Sequence, residues 1–470
     1  MLVRRFYDDR LAQASYLIAC QRTGEAIVID PARDIAPYLD AARDEGVRIT
    51  RVTETHIHAD FVSGARELAT RTGATPLLSG EGGTDWQYGW AAEAGAQLLR
   101  DGDVVTLGRV RLEVWHTPGH TPEHLAFVVV DAAQSEAPVA MVSGDFIFVG
   151  DVGRPDLLEK AAKIVGTMAA GARQLFGSLQ RLAPLPDYLQ IWPGHGAGSA
   201  CGKSLGAMPT SSLGYERRTN WAFAITDEAS FVAEVLEGQP TPPSYFGTMK
   251  RINRDGPPIL GEQAAVPSLS ASGITAAQAE TSVVDLRPFA AYAEAHLRGT
   301  LNLPLIKAFT TWAGWLLPYD RDITLISPDP SSIAEARRAL ASIGLDRVRG
   351  AFGTEVIAAA LGSGTAARIS QVDVTLAEDL LGAKRRVIDL REATEWAAGH
   401  IPGAEHHPLG GLLATMARSD RNAPIAVHCQ GGTRSAIGAS LLEGMGFTDI
   451  IDLTGGYSAW QAGAGKQQQP

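Results

Sequence analysis

Thr55-His56-Ile57-His58-Ala59-Asp60-Phe61 puts two histidines and an aspartate within five residues. The stretch follows Val47-Arg48-Ile49-Thr50-Arg51-Val52-Thr53-Glu54, which has no Pro or Gly and five β-branched residues out of eight. That composition marks a strand. Side chains able to bind metal therefore stand where a rigid strand gives way to a loop, the usual seat of chemistry. A polar strand end with chance histidines is the competing reading; the clustering of His and Asp favours metal.

The arrangement recurs along the chain. Strands over 14–20 and 26–30, a helix over 36–45 and a helix over 63–72 with Ser63 as its cap surround the first cluster. A hairpin, Val104–Leu107 and Val110–Val114, runs into His116-Thr117-Pro118-Gly119-His120-Thr121. Strands over 125–130 and 139–142 follow, the second leading to Ser143-Gly144-Asp145. A helix is predicted over Leu157 to Leu182, then a strand over 188–192 ahead of Pro193-Gly194-His195-Gly196. His120, Asp145 and His195 thus repeat the strand-end placement of the first cluster, as when a sheet sandwich gathers ligands at one rim.

Size and charge bound the rest. A chain of 470 residues exceeds one core and implies two to four domains. Lys+Arg of 41 against Asp+Glu of 52 gives a charge of −11 with no basic block, which argues against nucleic acid and anionic membrane as partners. No apolar run approaches the ~20 residues of a membrane span, and Met1-Leu2-Val3-Arg4-Arg5 lacks a signal-peptide core. Three cysteines, Cys20, Cys201 and Cys429, are too few and odd in number for a disulfide framework, so a cytoplasmic location is expected. Cys20 reads as a small buried residue of a strand.

The ordered set His56-x-His58-x-Asp60, Gly119-His120-Thr121, Ser143-Gly144-Asp145 and Pro193-Gly194-His195 resembles the metallo-β-lactamase fold, a four-layer αββα sandwich, over roughly residues 1–235. Dinuclear members of that fold, such as glyoxalase II, carry another histidine after the aspartate, where this chain has Phe61. A phenyl ring cannot bind metal. One metal held by His56, His120 and Asp145 is then expected, the two-imidazole, one-carboxylate face of non-haem Fe(II) oxygenases. The resemblance is to persulfide dioxygenases, which oxidise a low-molecular-weight persulfide to sulfite with O₂ and Fe(II), one iron per chain. Gly150-Asp151-Val152-Gly153-Arg154-Pro155-Asp156 also looks like that branch and implies Arg154 as a handle for the carboxylate of a glutathione-like thiol, with a solvated surface arginine as the equal alternative. His58, Asp60 and His195 then stand behind the ligands or are relics of a second metal position.

Two further segments are candidates for substrate. Gly196-Ala197-Gly198-Ser199-Ala200-Cys201-Gly202-Lys203-Ser204 approaches a phosphate loop but has Ala197 where the first glycine is required. Cys201 follows a rim histidine and is a candidate for handling persulfide. Tyr215, in Tyr215-Glu216-Arg217-Arg218, is a weaker one. The expected division is a metal domain over 1–238, a Pro-rich connector over 239–267, and two similar domains over 268–365 and 370–464, with a frayed tail from Gly465 to Pro470.

Those last domains are copies of each other. Val284-Asp285-Leu286-Arg287 matches Ile388-Asp389-Leu390-Arg391, and Ala295-His296-Leu297-Arg298-Gly299-Thr300 matches Gly399-His400-Ile401-Pro402-Gly403-Ala404, both 104 residues on. Ile323-Thr324-Leu325-Ile326-Ser327 matches Ile425-Ala426-Val427-His428-Cys429, 102 residues on. Cys429-Gln430-Gly431-Gly432-Thr433-Arg434-Ser435 resembles the loop of a rhodanese, a sulfurtransferase. Backbone N–H groups and a helix N-terminus favour the thiolate of Cys429, and Arg434 is placed to bind the oxygens of sulfite or thiosulfate. The first copy has Ser327 and Ser332 in place of Cys429 and Arg434 and reads as inactive.

The whole is a multidomain α/β chain similar to the persulfide dioxygenase–rhodanese fusions of bacterial sulfide detoxification. It implies a persulfide of glutathione, coenzyme A or a similar thiol carrier, with O₂, sulfite and thiosulfate as small partners and a homo-oligomer as the expected state. The alternatives are a dizinc thioester hydrolase of the glyoxalase II type fused to a sulfurtransferase, and a non-catalytic sulfur carrier or sensor with a structural metal.

Overall fold

The β-branched runs pair into sheets. The computed structural model describes residues 1–157, 159 and 167–467. The chain divides into two compact units, Met1–Gln263 with Ala341–Gly344, and Ala264–Leu340 with Leu345–Pro470.

In the first unit β1 (Leu2–Asp8), β2 (Gln13–Cys20), β3 (Glu25–Ile29), β4 (Arg48–Thr53), β5 (Thr75–Ser79) and β6 (Gln97–Leu99) lie side by side in that order. β7 (Val104–Leu107), β8 (Val110–His116), β9 (Leu125–Asp131), β10 (Pro138–Gly144), β11 (Gln190–Pro193) and β12 (Ser211–Ser212) form the second sheet. Side chains alternate across a strand, so each sheet offers two faces. Ala14, Tyr16 and Ile18 of β2 share one core with Phe127 and Val129 of β9 and Val142 of β10, between the sheets. Leu17 and Ala19, one step out of register, instead meet Tyr38 and Leu68 of the helices Ala36–Asp44 and Ala65–Thr72. Behind the second sheet, Ala126 and Met141 pack on Leu175 and Phe231 of the helices Thr167–Gln180 and Glu228–Leu236. This is a four-layer αββα sandwich. Cys20 lies in its inter-sheet core.

β8 and β10 both run antiparallel to β9, and β11 is parallel to β10. The C-terminal ends of β8, β10 and β11 therefore emerge at one rim. His120, Asp145 and His195 follow those ends, and His56 follows β4. Gly144 makes the turn possible: its φ is +51°, and a Cβ there would stand 2.6 Å from the Thr55 hydroxyl.

Two boundaries differ from the sequence reading, and a third falls partly outside the described residues. Of residues 239–267, read as a connector, 239–263 belong to the first unit and 264–267 to the second. Helix Phe246–Asp255 carries a buried Asn253, whose amide donates to the carbonyls of His58 and Phe61 (2.7 Å each) while its oxygen accepts from Ser63 N (2.9 Å). Glu67 then accepts from Leu260 N and Gly261 N. Proline content suggested a linker because composition does not register side chains that satisfy a distant loop. The helix predicted from Leu157 is described from Thr167 to Gln180, and residues 158 and 160–166 lie outside the described residues. The tail read as frayed continues helix Gly456–Gln467, with 468–470 outside the described residues. Ser63 accepts from Ala65 N (3.0 Å), one turn position earlier than a cap, and Gly64 takes the cap place.

The second unit holds two parallel sheets of matching order. β13 (Thr281–Asp285), β14 (Leu301–Asn302), β15 (Asp322–Ile326) and β16 (Val348–Phe352) run β14-β13-β15-β16. β17 (Ser370–Asp373), β18 (Arg386–Asp389), β19 (Glu405–His406), β20 (Ile425–His428) and β21 (Ile450–Thr454) run β17-β21-β20-β18-β19, the same order with one extra strand. Details repeat as well. Asp285 holds Arg287 at 2.6 Å as Asp389 holds Arg391 at 2.7 Å, and Tyr292 stacks on His296 as Trp396 stacks on His400. No helix among the described residues is long and apolar enough to cross a membrane.

Candidate metal centre and sulfur-transfer loop

At the rim, one ligand atom each from His56, His120 and Asp145 lie within 4.8 Å of one another, all buried. Nε2 of His120 is 3.4 Å from Asp145 Oδ2, and Nε2 of His56 is 4.0 Å from it. The tautomers are set from behind. His120 Nδ1–H donates to the Arg154 carbonyl (3.1 Å). The Thr55 hydroxyl gives its one proton to Asp30 (3.0 Å), so His56 Nδ1–H must donate to Thr55 Oγ1 (3.0 Å). Both Nε2 lone pairs are thereby turned inward. Burial pulls the pKa of both imidazoles down, most strongly at His56, where neighbouring imidazoles add to it. Neutral imidazole is the form that binds metal. Neither oxygen of Asp145, nor either oxygen of Asp60, has a hydrogen-bond donor among the described residues. Buried carboxylates without donors are costly, and a cation between them removes that cost. The donor set fits a metal ion.

His58 faces elsewhere. Its Nε2–H donates to Asp30 (3.0 Å), and although burial lowers its pKa, the facing Asp30 carboxylate lifts it to about 9. Asp30 also accepts from Thr55 N (2.6 Å) and sits at a φ of +53°, which a non-glycine residue holds only under such restraint. Phe61 is fully buried with its ring 4.4 Å from that of His58.

Beside this trio a second one gathers: Asp60, His195 and Cys201 also place ligand atoms within 4.8 Å of one another. His195 Nε2 lies 3.2 Å from Asp60 and 3.6 Å from Asp145, and its Nδ1–H donates to the Ala12 carbonyl. Cys201 is buried; burial, then Asp60 and Asp145, push its thiol pKa well up.

Two substrate candidates are corrected. Arg154 cannot reach for a carboxylate: it is fully buried, paired twice with Asp156 (2.7 Å each), and donates to the carbonyls of Ala200 and Pro240. Asp151 of the same segment accepts from Lys203 N and Ser204 N. The Gly150–Asp156 segment is thus a bracket for the Cys201 loop. Tyr215 is 50% exposed on helix Leu213–Thr219, and no described contact joins it to the cluster. Its buried neighbour Glu216 accepts from Gly150 N instead.

Asp30, Thr55, Glu123 and His124 belong to the site and escaped the sequence reading. His124 stacks on His56 (5.1 Å) and its Nε2 accepts from Asp145 N (3.1 Å), fixing the carboxylate's backbone. Glu123 accepts from Ile57 N (2.8 Å), inside the first motif. A histidine four residues after His120 was the one available signal; Asp30 ends a strand 25 residues before Thr55 and gives none.

In the second unit Cys429 follows β20, fully buried, with Gly432 N–H aimed at its sulfur (3.1 Å) and Ser435 Oγ at 3.9 Å. Helix Thr433–Gly444 starts just beyond. Arg434 does not point its guanidinium freely at the loop; it is held by Glu395 (2.6 and 2.8 Å). In the first copy Ser327 takes the cysteine's place, and the Asp329 carboxylate accepts from Ser331 N (2.9 Å) and from the hydroxyls of Ser331 and Ser332. Asp329 is exposed, so this carboxylate caps the start of helix Pro330–Ala341 and leaves the space beside Ser327 open.

The metallo-beta-lactamase superfamily model matches residues 8–195, and a rhodanese-like domain model matches residues 373–463. A metallo-beta-lactamase structure from Staphylococcus aureus superposes with a TM-score of 0.68 at 43% identity, covering 75% of this chain and 99% of that one. A probable metallo-hydrolase of Burkholderia pseudomallei is 30% identical over 42% of this chain and 72% of its own length. A hydroxyacylglutathione hydrolase of Polaromonas is 33% identical over 42% of this chain and 66% of its own. The chain spans about half (54%) of the beta-lactamase hydrolase-like protein of Xylella fastidiosa that it also matches. An αββα unit with a buried His/Asp site that fits a metal, joined to a rhodanese-like domain, is the architecture of a metallo-beta-lactamase-superfamily enzyme with a rhodanese-like domain. The chain belongs to the metallo-beta-lactamase superfamily.

Proposed function

We propose that the chain oxidises the outer sulfur of a low-molecular-weight thiol persulfide to sulfite with O₂ at a single Fe(II), and joins a second sulfur to that sulfite at Cys429, giving thiosulfate. The observation that carries this reading is the choice of ligands. Two imidazoles and one carboxylate converge, while His58 is committed to Asp30 and Phe61 stands where another imidazole would be needed. That donor set leaves positions open on one side, as O₂-using iron sites require.

When bound, iron(II) supplies the binding position and redox capacity for O₂ and the persulfide sulfur. The chain's own groups orient the ligand imidazoles through Thr55 and the Arg154 carbonyl, and hold the Cys201 loop beside the site through Asp151. The overall change balances: RSSH, O₂ and water give RSH, sulfite and two protons. At the second site a Cys429 persulfide passes its outer sulfur to sulfite, and the Cys429 thiolate leaves with the electron pair. Gly432 N–H stabilises that thiolate.

The Asp60–His195–Cys201 trio favours a second reading, a dinuclear hydrolase like the relatives named hydroxyacylglutathione hydrolase. Metal analysis and an oxygen electrode separate the two. The proposed function expects about one iron per chain and persulfide-dependent O₂ uptake that His120→Ala and Asp145→Ala abolish. The product is thiosulfate in the wild type and sulfite in Cys429→Ser. Two zincs per chain, with thioester cleavage and no O₂ uptake, would refute it.

A further inference from the structure

The pairing of Arg434 asks for an explanation, because this cation belongs to the Cys429–Ser435 loop itself. Both terminal nitrogens of its guanidinium are taken by Glu395, in a bidentate pair whose side chains are 18% and 31% exposed. Glu395 is itself fixed: it completes a capping box, accepting from Glu392 N (3.0 Å) at the start of helix Ala393–Ala397. The carboxylate therefore stays in place and the guanidinium comes to it.

The duplication tells which residues belong to scaffold and which to chemistry. The Asp–Arg pair, the ring stacked on a histidine and that histidine occur in both copies. Glu392 and Glu395 do not: 104 residues earlier stand Pro288 and Ala291. They are missing from the copy that also lacks the cysteine and the arginine. A carboxylate needed only to cap a helix would have no reason to follow the reactive loop.

We propose that Glu395 is a specificity-determining latch of the sulfur loop: it occupies Arg434 as an internal anion, and an oxyanion substrate gains the guanidinium only by displacing it. The proposal rests on the reading of Cys429 as a sulfurtransferase nucleophile. It predicts that sulfur donors and acceptors divide by class. Thiosulfate and sulfite, whose oxygens need Arg434, compete with Glu395. A persulfide without an oxyanion group does not. With thiosulfate the step is a displacement. The Cys429 thiolate attacks the outer sulfur, a Cys429–S bond forms, the thiosulfate S–S bond breaks, and sulfite departs with the electron pair, so no outside oxidant is needed.

The test is steady-state sulfur transfer by the full-length protein, with cyanide as acceptor and either thiosulfate or a carboxylate-free alkyl persulfide as donor. Glu395→Gln keeps an oxygen for the Glu392 N–H and removes the charge. The expected result is a KM for thiosulfate about fivefold lower, the size of a partly exposed ion pair, with kcat within about twofold and the alkyl persulfide unaffected. In an Arg434→Gln background Glu395→Gln changes nothing further. If Glu395→Gln loses turnover with both donors, Glu395→Ser is read in its place with the same expectation. A KM for thiosulfate that is unchanged or raised, in the variant that turns over, overturns the latch. Absence of a one-sulfur mass gain on wild-type Cys429 from either donor overturns the sulfurtransferase reading instead.

Discussion

The two rhodanese-like copies share a strand order, a buried Asp–Arg pair and a ring-on-histidine stack, yet one ends β20 in Cys429 and the other ends β15 in Ser327. The difference between their loops is small in residues and large in electrostatics. In one, an amide N–H points at a sulfur. In the other, a carboxylate sits on the amide and hydroxyls of its own loop. Each loop leaves a strand anchored in an apolar core, Val283–Ile326–Phe352 in one copy and Val387–Ala426–Leu453 in the other. The first copy keeps the strand order and an apolar core with a serine in the cysteine's place.

The first copy keeps one contact with the second that bears on chemistry. His296 Nε2 meets Glu443 at 2.9 Å, on the helix that begins at the sulfur loop, and Asn302 N donates to Ser440 on the same helix. The corresponding His400 is exposed and donates to the Trp396 carbonyl alone. The first copy thus braces the helix that starts at the Cys429 loop.

Three experiments sharpen or break this comparison. The largest effect belongs to Cys429→Ser, expected to reduce sulfur transfer by about a thousandfold or more, as loss of a nucleophile does. Adding Ser327→Cys to that variant should restore nothing, since Ser332 stands in the place of Arg434 and supplies no guanidinium; recovered transfer activity would show that the first copy is dormant for want of a thiol alone. Next, Asp285→Asn and Asp389→Asn each leave a buried arginine without its charge partner. Each is expected to destabilise the second unit by about 3–5 kcal/mol in denaturant titration. Only Asp389→Asn should also slow sulfur transfer, because Arg391 donates to Gln430 in the sulfur loop. Equal kinetic damage from both would mean the copies are not separable. The smallest effect is that of His296→Ala, expected to cost about 1–3 kcal/mol from a buried hydrogen bond. It should reduce sulfur transfer while leaving O₂ uptake at the metal site unchanged, and an unaltered transfer rate would remove the brace from the account.

The class of fold and a His/Asp cluster that fits a metal were legible in the order of residues. Strand-end motifs and a repeat at near-constant offset are local patterns, and local patterns survive without coordinates. The sequence also shows that one loop carries a cysteine where its copy carries a serine, since a single residue decides that. What only the tertiary structure decided is where charged side chains spend their charge. Arg154 reads as a substrate handle and is consumed by Asp156; Asn253 lies in an apparent linker and fastens the His58–Phe61 loop; Asp30, far from any motif, holds His58 and Thr55. A hydrogen bond depends on two groups meeting in space within about 3 Å, and nothing in the spacing of residues along the chain records that meeting.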